Sequence, residues 1–424
     1  MDVVFEKCTG IDVHKKFVMV APRVVEEGRS VRQEVRKFGT MTGDLVDLAD
    51  WLESLGVTHV AMESTGVLWR PIYNVLQERF SVLLCNAQHL KRVPGRKTDV
   101  KDCQWIAQLL SCGLLQGSFI PPQPVQELRD LTRLRAALLG DVNRVKNRIQ
   151  KVLEDANVKL SCVASDPFGA SGRAIMMALI AGEEDSAKLA DLARASLRRK
   201  KAELRRALEG RVRPHHRLML RLEYGQLVEL ERRIAEVEKH IGIYMLREEM
   251  NVPLSEENAS VPFEDALELV ESIPGVNRIV AVTLLAETGT DMTRFPTAGH
   301  LASWAGLCPG SNESAGKQKS TRIRKGNPWV RRVITQAAWA ATRKKDSFLK
   351  AQYGRIAARR GKKRALIAVA HSLLVIVHEL LSNGMYYNEL GADFYDKLYK
   401  DRMTRNLVKR LERMGHKVTV EAPA

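Results

Sequence analysis

The chain has 424 residues, with 67 Lys and Arg against 50 Asp and Glu and a formal net charge of +17. That length accommodates two or three domains with buried cores, and the basic excess points to a polyanionic partner. Six cysteines (8, 85, 103, 112, 162, 308) are scattered with no CxxC pair, which argues against a disulfide framework or zinc site and for reduced thiols. The first residues include Asp2 and Glu6 and no apolar leader core, and the run Ala365–Ala370 is interrupted by His371, short of 18 apolar residues. The expectation is a soluble, cytoplasmic protein with no membrane association.

In chain order, Cys8–Val13 reads as an apolar strand carrying one carboxylate, Asp12, followed by the apolar run Phe17–Ala21. Val31–Phe38 alternates and reads as a third strand. Leu45, Leu48, Leu52 and Leu55 recur at helical spacing behind Thr42, a candidate cap. A buried-type strand, His59–Met62, runs into Glu63-Ser64-Thr65-Gly66. A helix (Trp69–Arg79) and a strand (Ser81–Cys85) then lead to Gly95-Arg96-Lys97-Thr98-Asp99-Val100-Lys101-Asp102. Three early strands followed by alternating helices and strands predict an α/β domain with a mixed sheet.

Asp99 and Asp102 are three residues apart where Cys103–Leu110 reads as a helix, a spacing that stacks two carboxylates on one face. Basic Arg96, Lys97 and Lys101 interleave with them. Alone, two acids at a helix start answer equally well to capping and the macrodipole. Asp12 inside a strand and Glu63 at a strand end are harder, because an unpaired buried charge is expensive. Lys15 and Lys16 offer Asp12 an ordinary partner. One or two Mg²⁺ ions held by Asp12, Glu63, Asp99 and Asp102 would account for all four acids. This order of acids resembles the RNase H-like fold of RuvC resolvases, in which metal-bound carboxylates act at phosphodiesters.

From Gln123 the chain turns to long helices. Leu131, Leu134, Leu138, Val142, Val145, Ile149 and Val152 follow a 3-4 pattern with one stutter, and Leu227, Leu230, Ile234, Val237, Ile241 and Tyr244 repeat it without interruption. Both stretches are otherwise richly charged, which favours a coiled-coil hairpin or a dimer seam over ordinary core packing. Between them Ser165–Pro214 reads as short helices, with Ser171 as a helix cap. His215 and His216 are adjacent, so they share no helix face and make a poor ligand pair. Glu249–Pro262 is polar and acidic and reads as a linker.

Ser272–Ala281 and Leu284–Gly289 have the helix, tight glycine turn, helix pattern of a helix-hairpin-helix, whose turn amides grip a DNA phosphate, although Asn277 stands where a second glycine is usual. Small, turn-forming residues from Ala305 to Gly316 then place Ser314 on an exposed loop. Serine needs a proton acceptor or charge neutralisation to become a nucleophile, and Lys317, Lys319, Arg322, Arg324 and Lys325 are near enough in sequence to neutralise charge. Between Ala315 and Arg364 there are 17 Lys and Arg and one acid, Asp346, so nearly all the net charge sits there.

The stretches GIDVHKK, MESTG, VPGRKTDVKD, SFIPP, IPGV, LASWAGLCPGSNESAGK, RKGNPWVR and GADFYDKL occur in order from about residue 8 to about 400. Together they resemble the DEDD transposases of bacterial insertion sequences, the bridge-RNA-guided recombinases. The resemblance implies an RNase H-like (RuvC-like) DEDD domain over 8–122 and a coiled-coil helical region over 123–248. A linker over 249–264, a mainly α transposase domain over 265–400 and a basic tail over 401–424 complete the chain. It implies that Asp12, Glu63, Asp99 and Asp102 are catalytic metal ligands for Mg²⁺ and that Ser314 forms a covalent serine–DNA intermediate. Implied partners are donor and target DNA, a structured non-coding bridge RNA, and further copies of the chain, as dimers assembling into a tetramer. On that reading Arg322, Arg324, Lys325, Asn327, Arg331 and Arg332 contact nucleic-acid backbone near the serine, and Arg359, Arg360, Lys362, Lys363 and Arg364 form a second cluster. Two rival readings are a metal-only RuvC-like Holliday-junction nuclease, in which water attacks and Ser314 is structural, and a non-catalytic RNA-binding protein.

Overall fold

The computed structural model describes residues 3–25, 31–64, 66–85, 102–115, 117–118, 120–247, 261–309, 312–314, 317–320, 323 and 325–420, with backbone alone at 31–33, 312–314, 317–320 and 401–403. Two compact units, Met1–Pro121 and Pro122–Ala424, make up the chain.

The first unit is built on a six-stranded mixed sheet of order β3-β2-β1-β5-β6, with β4 also on β2. β1 (Lys7–Val13) pairs antiparallel with β2 (Phe17–Val25) and parallel with β5 (His59–Glu63), which in turn pairs parallel with β6 (Ser81–Cys85). The alternating stretch expected as one strand is two, β3 (Val31–Gln33) and β4 (Arg36–Gly39), both antiparallel to β2. Glu34 and Val35 lie between them, so the sheet edge is divided where a charged residue interrupts the run. Helix α1 (Thr42–Ser54) starts one residue before the expected position. Met41 is its N-cap residue, and Asp44 reaches back to accept from the Met41 N–H at 3.2 Å, so Thr42 is not the cap. Helix α2 (Trp69–Leu76) ends a turn earlier than its periodicity suggests.

Strand alternation assigns the faces. Ile11, Val13, Val60 and Met62 point to one side, where Leu45, Leu48, Leu52, Ile72 and Leu76 of α1 and α2 bury them. Cys8, Ala61 and Cys85 point to the other side, under α3 (Asp102–Ser111), through Ile106, Leu109 and Leu110.

Among its described residues the second unit is helical apart from one hairpin. It opens with the long α4 (Gln123–Asp155), continues through the short α5 (Leu160–Val163), α6 (Ala170–Ala181), α7 (Ser186–Asp191) and α8 (Lys201–Ala207), and reaches the long α9 (Pro214–Met245). The pairs Glu127–Arg247, Arg135–Glu238, Arg148–Glu223 and Asp155–His216 descend one helix as they climb the other, so α4 and α9 run antiparallel. Val142, Val145, Ile149 and Val152 meet Leu220, Leu227, Leu230 and Ile234 in one core, joined by Ile175, Met176, Leu189 and Leu204 of the short helices. Leu134, which its spacing assigns to the seam, is 48% exposed. It lies between Leu131, which packs against one core, and Leu138, which packs against the other. Ser171 is not a cap: α6 begins at Ala170 behind Gly169, and the Ser171 hydroxyl accepts from the Arg194 N–H at 2.9 Å.

Leu128 and Ile241, nearer the other end of the pair, enter a separate core. It is formed by α10 (Phe263–Glu271), α11 (Arg278–Thr288), α12 (Ala298–Trp304), α13 (Pro328–Ala341), α14 (Phe348–Arg360) and α15 (Lys362–Asn383). α10 starts at Phe263, just past the acidic stretch and inside the 249–264 segment expected as linker; residues 248–260 lie outside the described residues. α15 is the one described helix long and apolar enough to cross a membrane. Val369, Ala370, Leu373, Leu374, Val377 and Leu381 are instead buried in this core, which explains its composition. Short α16 (Phe394–Leu398) and amphipathic α17 (Lys400–Arg413) follow, so the expected basic tail is helical for most of its length.

Beside this core Glu287, near the end of α11, is 1% exposed. Its carboxylate accepts from Arg133 Nε and Nη2 at 2.7 and 2.9 Å and from Asn327 Nδ2 at 2.7 Å, while Arg129 donates to the backbone carbonyls of Ala286 and Glu287. Removing one side of a buried, bidentate pair leaves the other charge stranded. Glu287→Ala should therefore lower unfolding stability by about 3–5 kcal/mol in urea melts, while Glu229→Ala, whose Arg232 and Arg233 partners are exposed on α9, should leave the midpoint where it was.

Candidate active site

The sheet brings two of the sequence-selected acids together. Ile11 on β1 is the register partner of Met62 on the parallel β5, so Asp12 and Glu63 are the next residues along neighbouring strands. Alternation puts Asp12 on the face of Cys8 and Gly10, and Glu63 on the face of Ala61. Both acids thus sit at the C-terminal end of adjacent strands, on one face, about 4.8 Å apart in the strand-to-strand direction.

That face belongs to α3. A Cβ built on Gly10 would lie 2.2 Å from Cys103 O and 2.4 Å from Ala107 N, so the helix rests directly on the β1 backbone. Cys8 Sγ meets Ala107 O at 3.6 Å one turn further on. Because Cys103 touches Gly10, the residue before it, Asp102, opens the helix beside the same strand that carries Asp12. Asp102 is exposed and begins the helix, so its charge is also favoured by the macrodipole. Asp99, Arg96, Lys97 and Lys101 lie outside the described residues.

Asp12 has a partner that the pattern of acids does not suggest. His14 Nε2 is 3.0 Å from Asp12 Oδ2, with the acid 27% and the histidine 46% exposed. The two residues are i and i+2 at a strand end, a spacing that could have flagged the pair. Nearby thiols are inert: burial pushes Cys8 up to about 11, and burial followed by the charge of Glu63 pushes Cys85 up to about 12. Burial thus favours the neutral thiol at both positions. Asp12, Glu63 and Asp102 offer carboxylate oxygens, a donor chemistry that suits a hard cation such as Mg²⁺, with the His14 imidazole beside Asp12.

Among the described residues, one group of three ligand-type side chains has all its donor atoms within 4.8 Å of one another: Asp155, His215 and His216. The two histidine rings approach to 3.9 Å between centroids, closer than their adjacency in sequence suggests. His216 is nonetheless spoken for. Its Nδ1 accepts from the Arg213 N–H at 3.2 Å, which leaves the proton on Nε2 to meet Asp155 Oδ2 at 2.8 Å. The ring closes the start of α9 and ties it to the end of α4, a structural role.

In the second unit Ser314 ends a strand. β7 (Asn312–Ser314) and β8 (Lys317–Ser320) pair antiparallel, with Ser314 opposite Lys317, so the expected loop is a β-hairpin with the serine beside its tip. Its neck is fixed at three points. Pro309 bridges Ile323, the Asn327 N–H donates to Trp304 O at 3.1 Å, and a Cβ on Gly326 would lie 2.2 Å from Gly306 N. Asn327 then caps α13, accepting from Trp329 and Val330, while its amide nitrogen goes to Glu287. Both ends of that side chain are therefore used inside the fold, although the sequence places it among nucleic-acid contacts.

The other basic residues divide by surroundings. Lys325, Arg332, Arg359, Arg360, Lys362, Lys363 and Arg364 are exposed or partly so, and Arg331 is half-buried. Arg332 lies over the Trp329 ring at 5.5 Å. Arg322 and Arg324 lie outside the described residues, and of Lys317 and Lys319 only the backbone is described. Gly361 separates α14 from α15 at φ +84°, so Arg359 and Arg360 close one helix and Lys362, Lys363 and Arg364 open the next. Asn277, in the turn between α10 and α11, accepts from Val280 N–H at 3.0 Å as the helix cap. The glycine of that turn, Gly275, is needed for close approach: a Cβ there would lie 2.5 Å from Ala337 O and from Ala341 N.

Comparison with known proteins adds the family. Residues 9–158 match a DEDD transposase family of IS110 type, and residues 267–354 match the family described as Transposase IS116/IS110/IS902. An uncharacterized 43.6 kDa protein of insertion element IS110 from Streptomyces coelicolor is 34% identical over 122 residues, 28% of this chain and 29% of that protein. An uncharacterized 44.8 kDa protein of insertion element IS116 from Streptomyces clavuligerus is 27% identical over 265 residues, 55% of this chain and 61% of that protein. The matched stretches therefore span less than two thirds of either relative.

The closeness of α3 to β1 gives a test that touches no carboxylate. Gly10→Ala puts a methyl group into the Cys103 carbonyl, so α3 must shift, at about 1–3 kcal/mol of stability. The expected result is a lowered urea midpoint together with weakened Mg²⁺ binding by calorimetry, since Asp102 moves with its helix.

Proposed function

Since the chain belongs to the IS110/IS116 family of transposases, we propose that it is the DNA transposase of an insertion sequence, cleaving and rejoining strands with Mg²⁺ and a serine nucleophile. One observation carries this reading: Asp12 and Glu63 end adjacent parallel strands on the face that α3 covers, with Asp102 at the start of that helix. Like-charged groups gathered at one sheet end are stabilised by a cation between them. In this reading Asp12, Glu63, Asp99 and Asp102 hold the metal in an RNase H-like domain. Bound there, Mg²⁺ supplies Lewis acidity at a phosphodiester.

Ser314 is the proposed nucleophile. Its Oγ forms a bond to phosphorus as the P–O bond of the DNA backbone breaks, and the released strand end takes the proton as a free hydroxyl. The phosphoserine ester retains the energy of the broken linkage, so a second strand's hydroxyl can reverse the step without ATP. Position beside a hairpin tip, above a neck tied to the helical core, suits a hydroxyl that must reach a phosphate while its base stays rigid. Basic residues close to it in sequence, Lys317, Lys319, Arg322, Arg324, Lys325, Arg331 and Arg332, offset the developing phosphorane charge and hold the backbone in this reading. The α4–α9 pair acts as a coiled-coil element, bringing copies together as dimers that assemble into a tetramer. A structured bridge RNA encoded by the element selects donor and target DNA, and the enzyme works in the cytoplasm.

Denaturing gels of labelled DNA with protein and Mg²⁺ test the chemistry. Asp12→Ala, Glu63→Ala and Asp102→Ala should each abolish cleavage with the fold kept. Ser314→Ala should lose both cleavage and a protease-sensitive protein–DNA band, while still binding DNA. If Ser314→Ala cuts at the wild-type rate and no shifted band ever forms, water is the nucleophile and the protein is a metal-only nuclease.

The cluster at the α14–α15 junction is tested by salt. Neutralising Arg359, Arg360, Lys362, Lys363 and Arg364 should weaken DNA binding and flatten its dependence on salt, by about 0.9 in the log–log slope for each phosphate no longer neutralised. An unchanged slope would remove the cluster from the interface.

A further inference from the structure

Beyond the serine hairpin and the acids, one cavity has a lining whose chemistry is unusual. It holds about 440 Å³ and is lined by Gln352, Arg355, Ile356 and Arg359 of α14, Tyr395 of α16, Tyr399, and Asn406 of α17. Tyr395 is the inner ring. Phe348 stacks on it at 5.2 Å and 21°, and the Arg355 guanidinium lies 4.7 Å from its centroid. Tyr399 is the outer ring, 41% exposed, nearly parallel to Tyr395 at 6° with centroids 6.4 Å apart. Arg355 also lies 5.9 Å from the Tyr399 centroid. The late sequence stretch GADFYDKL, which the proposed chemistry leaves without a role, supplies the inner ring and is pinned by the Phe348 packing.

Two features of this lining call for a ligand that combines a flat π-system with a negative group. Tyr399 offers an exposed aromatic surface beside a guanidinium. Arg359 has no carboxylate partner among the described residues, and Arg355 reaches Asp396 only at 3.5 Å, the limit of a hydrogen bond. Gln352 donates through Nε2 to Ser372 Oγ at 2.8 Å, which holds its amide in the wall of the cavity. A protein carboxylate would meet the arginines and leave the ring unused; an apolar side chain would do the reverse. A nucleotide has both groups, and the cavity is of the size that takes one. A base held in a duplex cannot present its face, so the nucleotide must be unpaired.

We propose that this cavity binds one unpaired nucleotide of a single strand, with the base on Tyr399 and its phosphate on Arg355 and Arg359. The proposal rests on the nucleic-acid reading above and adds a site apart from the cleavage chemistry. Tyr395 acts through Arg355, holding the guanidinium over the aromatic pair.

The test uses the full chain and short adenine oligonucleotides, one of DNA and one of RNA, each with a single 2-aminopurine whose fluorescence is quenched by stacking. Wild type should bind and quench. Tyr399→Ala should bind single strands about tenfold more weakly, as removal of one base–aromatic stack does, and lose the quench. Tyr399→Phe should keep both, and the affinity of either variant for duplex DNA should equal that of wild type. Quenching with RNA alone assigns the guide strand as the occupant, with DNA alone an unpaired DNA strand, and with both the shared nucleotide unit. If Tyr399→Ala binds and quenches as wild type does, the proposal is wrong, and the serine adduct formed by the same preparation shows that the transposase reading survives. If Tyr399→Phe behaves like Tyr399→Ala, the phenol and not the stack is responsible, which also overturns it.

Discussion

Glu287 is the residue on which the arrangement of the C-terminal unit depends. A carboxylate only 1% exposed is tolerable when every oxygen is used, and here Arg133 takes both oxygens while Asn327 takes one again. The closure joins three helices: Arg129 and Arg133 come from α4, Glu287 itself from α11, and Asn327 from the start of α13. Two of these links also cap or satisfy backbone groups, since Asn327 receives the first amides of α13 and Arg129 covers the last carbonyls of α11. The hairpin that carries Ser314 returns to the fold through this same asparagine. A buried charge thus fixes the base of the hairpin that carries Ser314.

In the N-terminal unit the corresponding constraint is steric. Gly10 has no side chain because the α3 backbone occupies that space, and the absence of a single Cβ decides where Asp102 stands relative to β1. Register does the rest. Asp12 and Glu63 share a face because Ile11 and Met62 are partners on parallel strands, and a slip of one residue would send one of them into the apolar layer beneath α1 and α2. The carboxylates are gathered by backbone geometry at two positions, a glycine and a strand register, neither of which is itself ionisable.

Much of this is legible in the chain itself. The strands carrying Asp12 and Glu63, the helix after Asp102 and both long helices follow from apolar periodicity, because each buries one continuous face. The misses have physical causes. Val31–Phe38 alternates as one strand would, yet the alternation cannot reveal that Glu34 and Val35 fall between two pairings with β2. Ser171 has the composition of a cap but serves Arg194, 23 residues away. Asn277 has the look of a defect in a hairpin turn and is a helix cap instead. Glu287 is hidden for a simpler reason: in Leu284–Gly289 it reads as an ordinary acid near a helix end, and its side-chain partners are 154 and 40 residues distant. Local pattern reports faces and turns; it does not report long-range polar closure.

The distribution of charge separates structure from function along the second unit. On α4 and α9 basic side chains are matched by acids, as with Arg135 and Glu238, Arg148 and Glu223, and Arg232 and Arg233 with Glu229. Such pairs stabilise little individually and leave the surface near neutral. At the α14–α15 junction the pattern reverses. Gly361 ends one helix and begins the next, so Lys362, Lys363 and Arg364 stand at a helix N-terminus, the end where the macrodipole disfavours cations by about 0.3–1 kcal/mol each. No ion pair relieves them among the described residues. Arg359 and Arg360, at the C-terminal end of α14, are favoured by its dipole, so the cost falls on the three cations that open α15, where a phosphate would be favoured both by the side chains and by the helix end.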